Sequence, residues 1–473
     1  MRPLLLLALS SSFVFSADRP DPAVVTAAMK KAVTYAHTHL AREGGYASSY
    51  DKDGKIGEVE HAKSPTVISI QPPGTTTMGL AMLKAYQATG DDVFLTAAKD
   101  AAKSLLKCQL ASGGWDSDFD FNPEKVKQYY LRSNLDAGDK EQGKRRNSTT
   151  LDDNKTESAL LFLLEMVHEP ACKDDAELKR CTKIAFDALL AAQAPIGAWP
   201  QQFSGPADPT APVLKASYPE TWSRTFPAIK YTSFYTLNDN NLQQIAKVLF
   251  RAYELEKDER YLAALKKLGE FFLLAQMPEP QPVWAQQYDR DMHPVWARKF
   301  EPPSVTGNES LGAMEVLHQL WVVTGDDKYL KPIPSALAWF ERSKLPDGTH
   351  ARFYELQTNK PLFFVKDTYV LTYDDGNMPT HYSFKTSQQS KLDNLKKQLA
   401  KSREELQQNL AGPQTPKEWK SRANGLIGKV QKAVSSLDSD GRWLKDDTID
   451  GAEFSKHLNA MAAYLEARKK SGE

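Results

Sequence analysis

Apolar positions recur at helical spacing along most of the chain. Leu80, Leu83 and Tyr86 follow at three-residue steps, and Leu160, Leu163, Leu164 and Val167 occupy the i, i+3, i+4, i+7 stripe of an amphipathic helix. Long alternating runs of the kind half-buried strands need are absent from the sequence. The pattern predicts an all-α chain.

The helical stretches are organised by a repeat of about 85 residues. Three segments end alike, in Gly114-Trp115-Asp116-Ser117-Asp118-Phe119, Ala198-Trp199-Pro200-Gln201-Gln202-Phe203 and Val283-Trp284-Ala285-Gln286-Gln287-Tyr288. Upstream stands an acidic turn: Gly90-Asp91-Asp92, Lys173-Asp174-Asp175, Lys257-Asp258-Glu259, and in a fourth copy Gly325-Asp326-Asp327. A third marker opens the preceding helix, at Thr75-Thr76-Thr77, Asp153-Asn154, Asp239-Asn240 and Gly307-Asn308-Glu309-Ser310. Such residues accept bonds from the orphan amides of a first turn and are expected to cap it. Each unit therefore reads as helix, acidic turn, helix, Trp loop. A ring of such hairpins buries the apolar faces against one another, which predicts an incomplete (α/α) toroid.

The topology predicts where chemistry collects. Trp loops follow second helices and the Asp-Asn segments precede first helices, so both lie on one rim, with the acidic turns on the other. The Trp rim, with its helix N-termini, suits an anionic ligand. A proline-rich segment over 204–222 is expected to add a long loop to it. Residues 131–148 read as a polar insertion. The stretch from Gln388 to Leu410, with Leu392, Leu395, Leu399, Leu406 and Leu410, reads as an outer helix with one solvated face.

Composition narrows the function. The 60 basic and 60 acidic residues balance, leaving no basic excess of the kind nucleic-acid binders carry. Arg2, the apolar run from Leu4 and small residues at Val14 and Ser16 read as a signal peptide over 1–16, which implies a secreted or periplasmic protein. No later stretch reaches the ~20 apolar residues of a membrane span. Three cysteines, Cys108, Cys172 and Cys181, make no disulfide framework; buried thiols are expected, with a local Cys172–Cys181 bridge as the alternative. Residues 17–384 read as the toroid, 385–473 as a helical extension packing on it, and the whole as a monomer.

Candidate chemistry clusters on the Trp rim. Asp152 and Asp153 are more than one helix cap needs, and a hard cation such as Ca²⁺, which takes several oxygen ligands, accounts for the pair. Asp118 shares that rim, and Asp239 matches Asp153 by repeat. These give Asp118, Asp153 and Asp239 as metal ligands. Trp199 and Trp284 offer flat faces for sugar rings, with Gln201, Gln286 and Glu301 beside them. Arg298, Arg224 and Lys230 are cations able to pair with the carboxylates of a uronic-acid polymer.

Together these motifs resemble the family-10 polysaccharide lyases, the α/α-toroid pectate lyases. Leu151-Asp152-Asp153-Asn154-Lys155-Thr156 is similar to their Asp-Asn-x-Ala-Thr segment, with lysine where the family has alanine. Gly197-Ala198-Trp199-Pro200-Gln201 resembles Gly-Gly-Trp-Pro-Gln, with Ala198 at the second glycine. Tyr231 to Asp239 and the stretch from Trp284 to Ser310 resemble two further family blocks. The resemblance covers roughly residues 75 to 345. It implies Ca²⁺-assisted β-elimination on polygalacturonate, with an arginine as base. No arginine lies between Tyr231 and Asp239, so Arg224 and Arg298 are the candidates, with Asp153 completing the catalytic set. A glycoside hydrolase, using Asp118 with Asp153 or Asp153 with Glu301, and a carbohydrate-binding protein are the rival readings on the same ring.

Overall fold

A computed structural model describes residues 19–473; the expected signal peptide lies outside the described residues. Four helical hairpins follow one another: Thr75–Thr89 with Asp92–Lys107, Lys155–Val167 with Ala176–Ala191, Asn241–Glu256 with Glu259–Ala275, and Gly307–Thr324 with Ile333–Arg342. First helices pack on successive first helices, and Asp92–Lys107 packs on Ala176–Ala191, giving the two layers of an incomplete (α/α) toroid. The acidic turns work as read. Asp91, Asp175, Asp258 and Asp326 each cap the following helical turn through a side-chain oxygen.

Short antiparallel strand pairs, which the helical pattern does not announce, tie the Trp rim together. Val67–Ser69 pairs with Asp118–Asp120, Thr149–Thr150 with Gln202–Phe203, Tyr235–Thr236 with Gln287–Tyr288, and Ser304–Thr306 with Phe353–Glu355. In every unit the strand entering the first helix pairs with the strand leaving the second, which fixes both at one end of the hairpin. The tryptophans belong to this clamp. Each indole nitrogen donates to a carbonyl near the end of the second helix: Trp115 to Leu105 at 2.8 Å, Trp199 to Leu189 at 2.7 Å, Trp284 to Phe272 at 2.8 Å. Gly197, before Trp199, has φ 104° and lies so close to the next unit that a Cβ would sit 2.0 Å from the Lys267 carbonyl oxygen.

The chain ends complete another such unit. Thr448–Asp450 enters the helix Gly451–Ser471 and pairs with Ser49–Asp51, which follows the N-terminal helix Pro22–Tyr35. Gly451–Ser471 packs on Thr75–Thr89, the first helix of the first full hairpin, and on Pro416–Ser435. Trp443 repeats the clamp by donating to Ala433 at 2.8 Å. The stretch from Gln388 forms two helices, not one: Gln389–Leu399 and Arg403–Leu410, parted where Ser402 starts a new helix by a capping box with Glu405. The insertion at 131–148 contains a short helix, Arg132–Asp136. All three cysteines are free and buried.

Candidate functional site

The segments Leu151-Asp152-Asp153-Asn154 and Leu237-Asn238-Asp239-Asn240 form the same turn in successive units. Asp153 and Asn154 have φ of 50° and 60°, Asp239 and Asn240 of 54° and 59°. This left-handed conformation costs a non-glycine residue about 1–2 kcal/mol and tends to persist where the surroundings enforce it, often at functional sites. It also corrects the capping expectation: neither Asn154 nor Asn240 caps its helix through a side chain. The carboxylates are left free to face one another.

They do so as a group. Asp152, Asp153 and Asp239 each present an oxygen, all within 4.8 Å of one another. Asp118 is not among these three, and Asp152 takes the place expected for it. The strand pairing with Val67–Ser69 holds Asp118 opposite Ser69, where burial pushes its carboxyl up to about 6 against the pull of Ser69 and Lys155. Burial, then the charges of Asp152 and Asp239, push Asp153 up to about 6 as well. Asp239 is raised by burial while Arg298 and Arg352 pull it back.

Cations surround the group. Arg298 donates from Nη2 to Asp239 at 2.9 Å and from Nε to Glu301 at 2.9 Å. Arg352 donates to Asn238 Oδ1 at 3.0 Å and stands 3.7 Å from Asp239 and 3.5 Å from the buried Glu309, with its guanidinium 4.1 Å from the Tyr382 ring centre. Lys155, buried at the first turn of its helix, lies 3.7 Å from both Asp152 and Asp153 and 3.6 Å from Glu60. Burial works against all three cations and is outweighed by the carboxylates, Glu301 and Asp239 for Arg298, so each stays protonated.

Several expected sugar contacts turn out to be supports. Trp199 and Trp284 are fully buried, with their indoles committed to the helix clamp, so neither offers a face to a sugar. Gln201 is buried and donates to Asp152 at 2.9 Å; Gln286 is buried and donates to Glu301 at 2.9 Å. Glu301 is also closed to a ligand, because it accepts from Arg298, Asn238, Gln286 and Tyr382. Arg224 stands apart from the triad, paired with Glu355 and Tyr373 on the long loop before Tyr235. Lys230 is exposed on the same loop.

The sequence reading missed Arg352, Tyr382 and Tyr231, whose half-buried phenol feels the charges of Arg298, Glu301, Asp152 and Asp239. The repeat held a signal for Arg352. It immediately precedes Phe353, the residue paired with Thr306 at the entry to the fourth first helix. A cavity of about 580 Å³ lies elsewhere: Glu165 and Val322, late in their first helices, and Lys257, just past the end of its own, place it toward the opposite rim.

Residues 121–351 match the family described as pectic acid lyase, which bears out the resemblance read from the motifs. Among solved structures, a point mutant of the family 10 polysaccharide lyase from Cellvibrio cellulosa, in complex with trigalaturonic acid, is 21% identical with a TM-score of 0.47, covering 69% of this chain and 99% of that one. The family 76 mannosidase from Bacteroides thetaiotaomicron is 11% identical with a TM-score of 0.46, covering 96% and 99%. An inactive variant of the α-1,6-mannanase from Salegentibacter sp. HEL1_6 is 12% identical with a TM-score of 0.42, covering 94% and 100%. No curated protein matches the chain.

Proposed function

We propose that the protein is an exported pectate lyase that cleaves α-1,4-galacturonan by metal-assisted β-elimination. The observation that carries this reading is the acidic triad ringed by fixed cations. An acidic site alone would repel a polyuronate, and a basic one alone would hold no metal. Here six carboxyl groups, Glu60, Asp152, Asp153, Asp239, Glu301 and Glu309, stand against three cations, Lys155, Arg298 and Arg352.

The donor set fits a hard divalent ion such as Ca²⁺. All three triad ligands are carboxylate oxygens, and their mutual repulsion in partial burial is what a cation relieves. Asp152, Asp153 and Asp239 would hold it. When bound it would supply Lewis-acid stabilisation of the charge that gathers on a uronate carboxylate while a base takes the C5 proton, C4 and C5 become doubly bonded, and the C4 oxygen leaves and is reprotonated. The chain's own contribution is preorganisation. Asp239 and Glu301 fix Arg298 in one orientation, so its positive charge stands ready without rearrangement. The same two carboxylates strengthen the hold of Arg298 on its protons, so the structure favours Arg298 as a fixed charge over Arg298 as base. Action outside the cell is part of the proposal, on the strength of the leader-like residues 1–16.

The raised carboxyl of Asp153 also suits a glycoside hydrolase, which needs an acid protonated near neutrality. One experiment separates the two. Polygalacturonate incubated with the protein, with and without chelator, should give the ultraviolet absorbance of a 4,5-unsaturated product only when metal is present. Reducing ends without that absorbance would establish hydrolysis instead.

A further inference from the structure

Lys155 opens the helix Lys155–Val167 of the second unit, directly after the left-handed turn of Asp153 and Asn154. Its side chain is 4% exposed, and its ammonium stands 3.6 to 3.7 Å from Glu60, Asp152 and Asp153. These distances exceed those of ordinary hydrogen bonds. Lys155 is therefore a point charge set among three carboxylates, the position a metal ion would take. The other two cations are committed to the opposite side, Arg298 to Asp239 and Glu301, Arg352 to Asn238 and Glu309. Two of the three triad carboxylates, Asp152 and Asp153, thus already share a cation that cannot leave.

Burying an ammonium costs several kcal/mol before its partners compensate. Helix formation gives no reason to accept that cost, since alanine is the better helix former. Within a partly dry cluster, like charges a few ångströms apart repel far more strongly than in water. A divalent ion entering the triad meets that repulsion.

We propose that Lys155 is a resident cation of the rim, occupying the place of a second divalent ion and holding the affinity of the Asp152–Asp153–Asp239 group for metal low. The inference rests on the reading of the rim as a metal-assisted uronate site, but its test contains no substrate.

Calcium chloride is titrated calorimetrically into the metal-stripped, full-length protein as wild type, Lys155→Met and Lys155→Arg. Methionine keeps the length of the side chain and removes the charge. The expected result is calcium binding at least about tenfold tighter in Lys155→Met, with Lys155→Arg within about threefold of wild type. Unchanged or weaker binding in Lys155→Met, or equal tightening in both variants, overturns the proposal. Where Lys155→Met is too unstable to titrate, its melting temperature should rise more on adding calcium than that of the wild type; an equal rise overturns the proposal. A wild type that forms no unsaturated product, together with tightening in Lys155→Met, rejects the lyase reading and upholds this one.

Discussion

Asp153 and Asp239 hold the same left-handed backbone position in successive units, with φ of 50° and 54°. Together with Asp152, their carboxylates meet within 4.8 Å across the boundary between two hairpins. Two units that each place a strained aspartate at the entry to the first helix bring the pair together because those helices, Lys155–Val167 and Asn241–Glu256, touch. The acidic group is thus a product of packing between the second and third hairpins.

Removing one of these carboxylates should therefore weaken metal dependence more than stability. Asp153→Ala is expected to lower chelator-sensitive turnover on polygalacturonate by about a hundredfold, roughly 2.7 kcal/mol of transition-state stabilisation. Its melting temperature in the absence of metal should change little, because the substitution removes like-charge repulsion with Asp152 and Asp239 and a partner of Lys155 together. Full chelator-sensitive activity in this variant would remove Asp153 from the site.

Arg298 offers a separate test. Arg298→Ala should lower turnover by at least about a hundredfold, because it removes a charge already oriented at the rim. Lysine at this position cannot reproduce the fork that reaches Asp239 and Glu301 together, so Arg298→Lys should recover only a small part of the loss. Arg224→Ala, by contrast, removes a partner of Glu355 outside the triad and should lower turnover by less than about tenfold. Steady-state kinetics on polygalacturonate check all three, and equal losses for Arg224→Ala and Arg298→Ala would contradict this assignment.

The sequence shows some of this and hides the rest for identifiable reasons. The acidic turns were legible as helix starts, and Asp91, Asp175, Asp258 and Asp326 cap those starts because a cap is a local device, settled within three residues. The rim was readable because hairpin topology alone decides which loops share an end. Side-chain facing was not. A tryptophan beside a loop suits a sugar cleft and a core equally well, and only the clamp to Leu189 shows that Trp199 belongs to the core. Arg352 escaped because it reaches the triad from beyond the last Trp loop, through pairing of Phe353 with Thr306. Asp118 shares the rim without joining the acidic group, because a shared rim does not fix which carboxylates meet.

Trp199 yields a prediction that separates core from cleft. Trp199→Phe keeps an aromatic ring but loses the indole donor and leaves the Leu189 carbonyl buried without that partner. It should destabilise the protein by about 1–3 kcal/mol, read in thermal or denaturant melts. KM for polygalacturonate should stay within about twofold of wild type. A raised KM with unchanged stability would return Trp199 to the cleft.

The last prediction concerns pH. Asp118 and Asp153 both have carboxyls pushed up to about 6 in the folded chain, by burial first and, for Asp153, by Asp152 and Asp239 next. An unfolded aspartate titrates near 3.9. Between roughly pH 4 and pH 6 the folded protein therefore holds more protons than the unfolded one, and linkage makes stability fall as pH rises through that window. The stabilisation is complete below the unfolded value and is lost once pH passes the folded value. Without metal, the melting temperature should thus decline as pH rises from about 4 to about 6, after allowance for other groups by comparison with an Asp118→Asn, Asp153→Asn double variant. Calcium should reverse the sign of the trend contributed by Asp153, because protons and metal compete for the same oxygens. Calcium affinity should fall as pH is lowered from 7 to 5, and in the double variant that pH dependence should be weaker. A wild-type melting profile that matches the double variant across this window would show that these carboxyls titrate as ordinary surface groups.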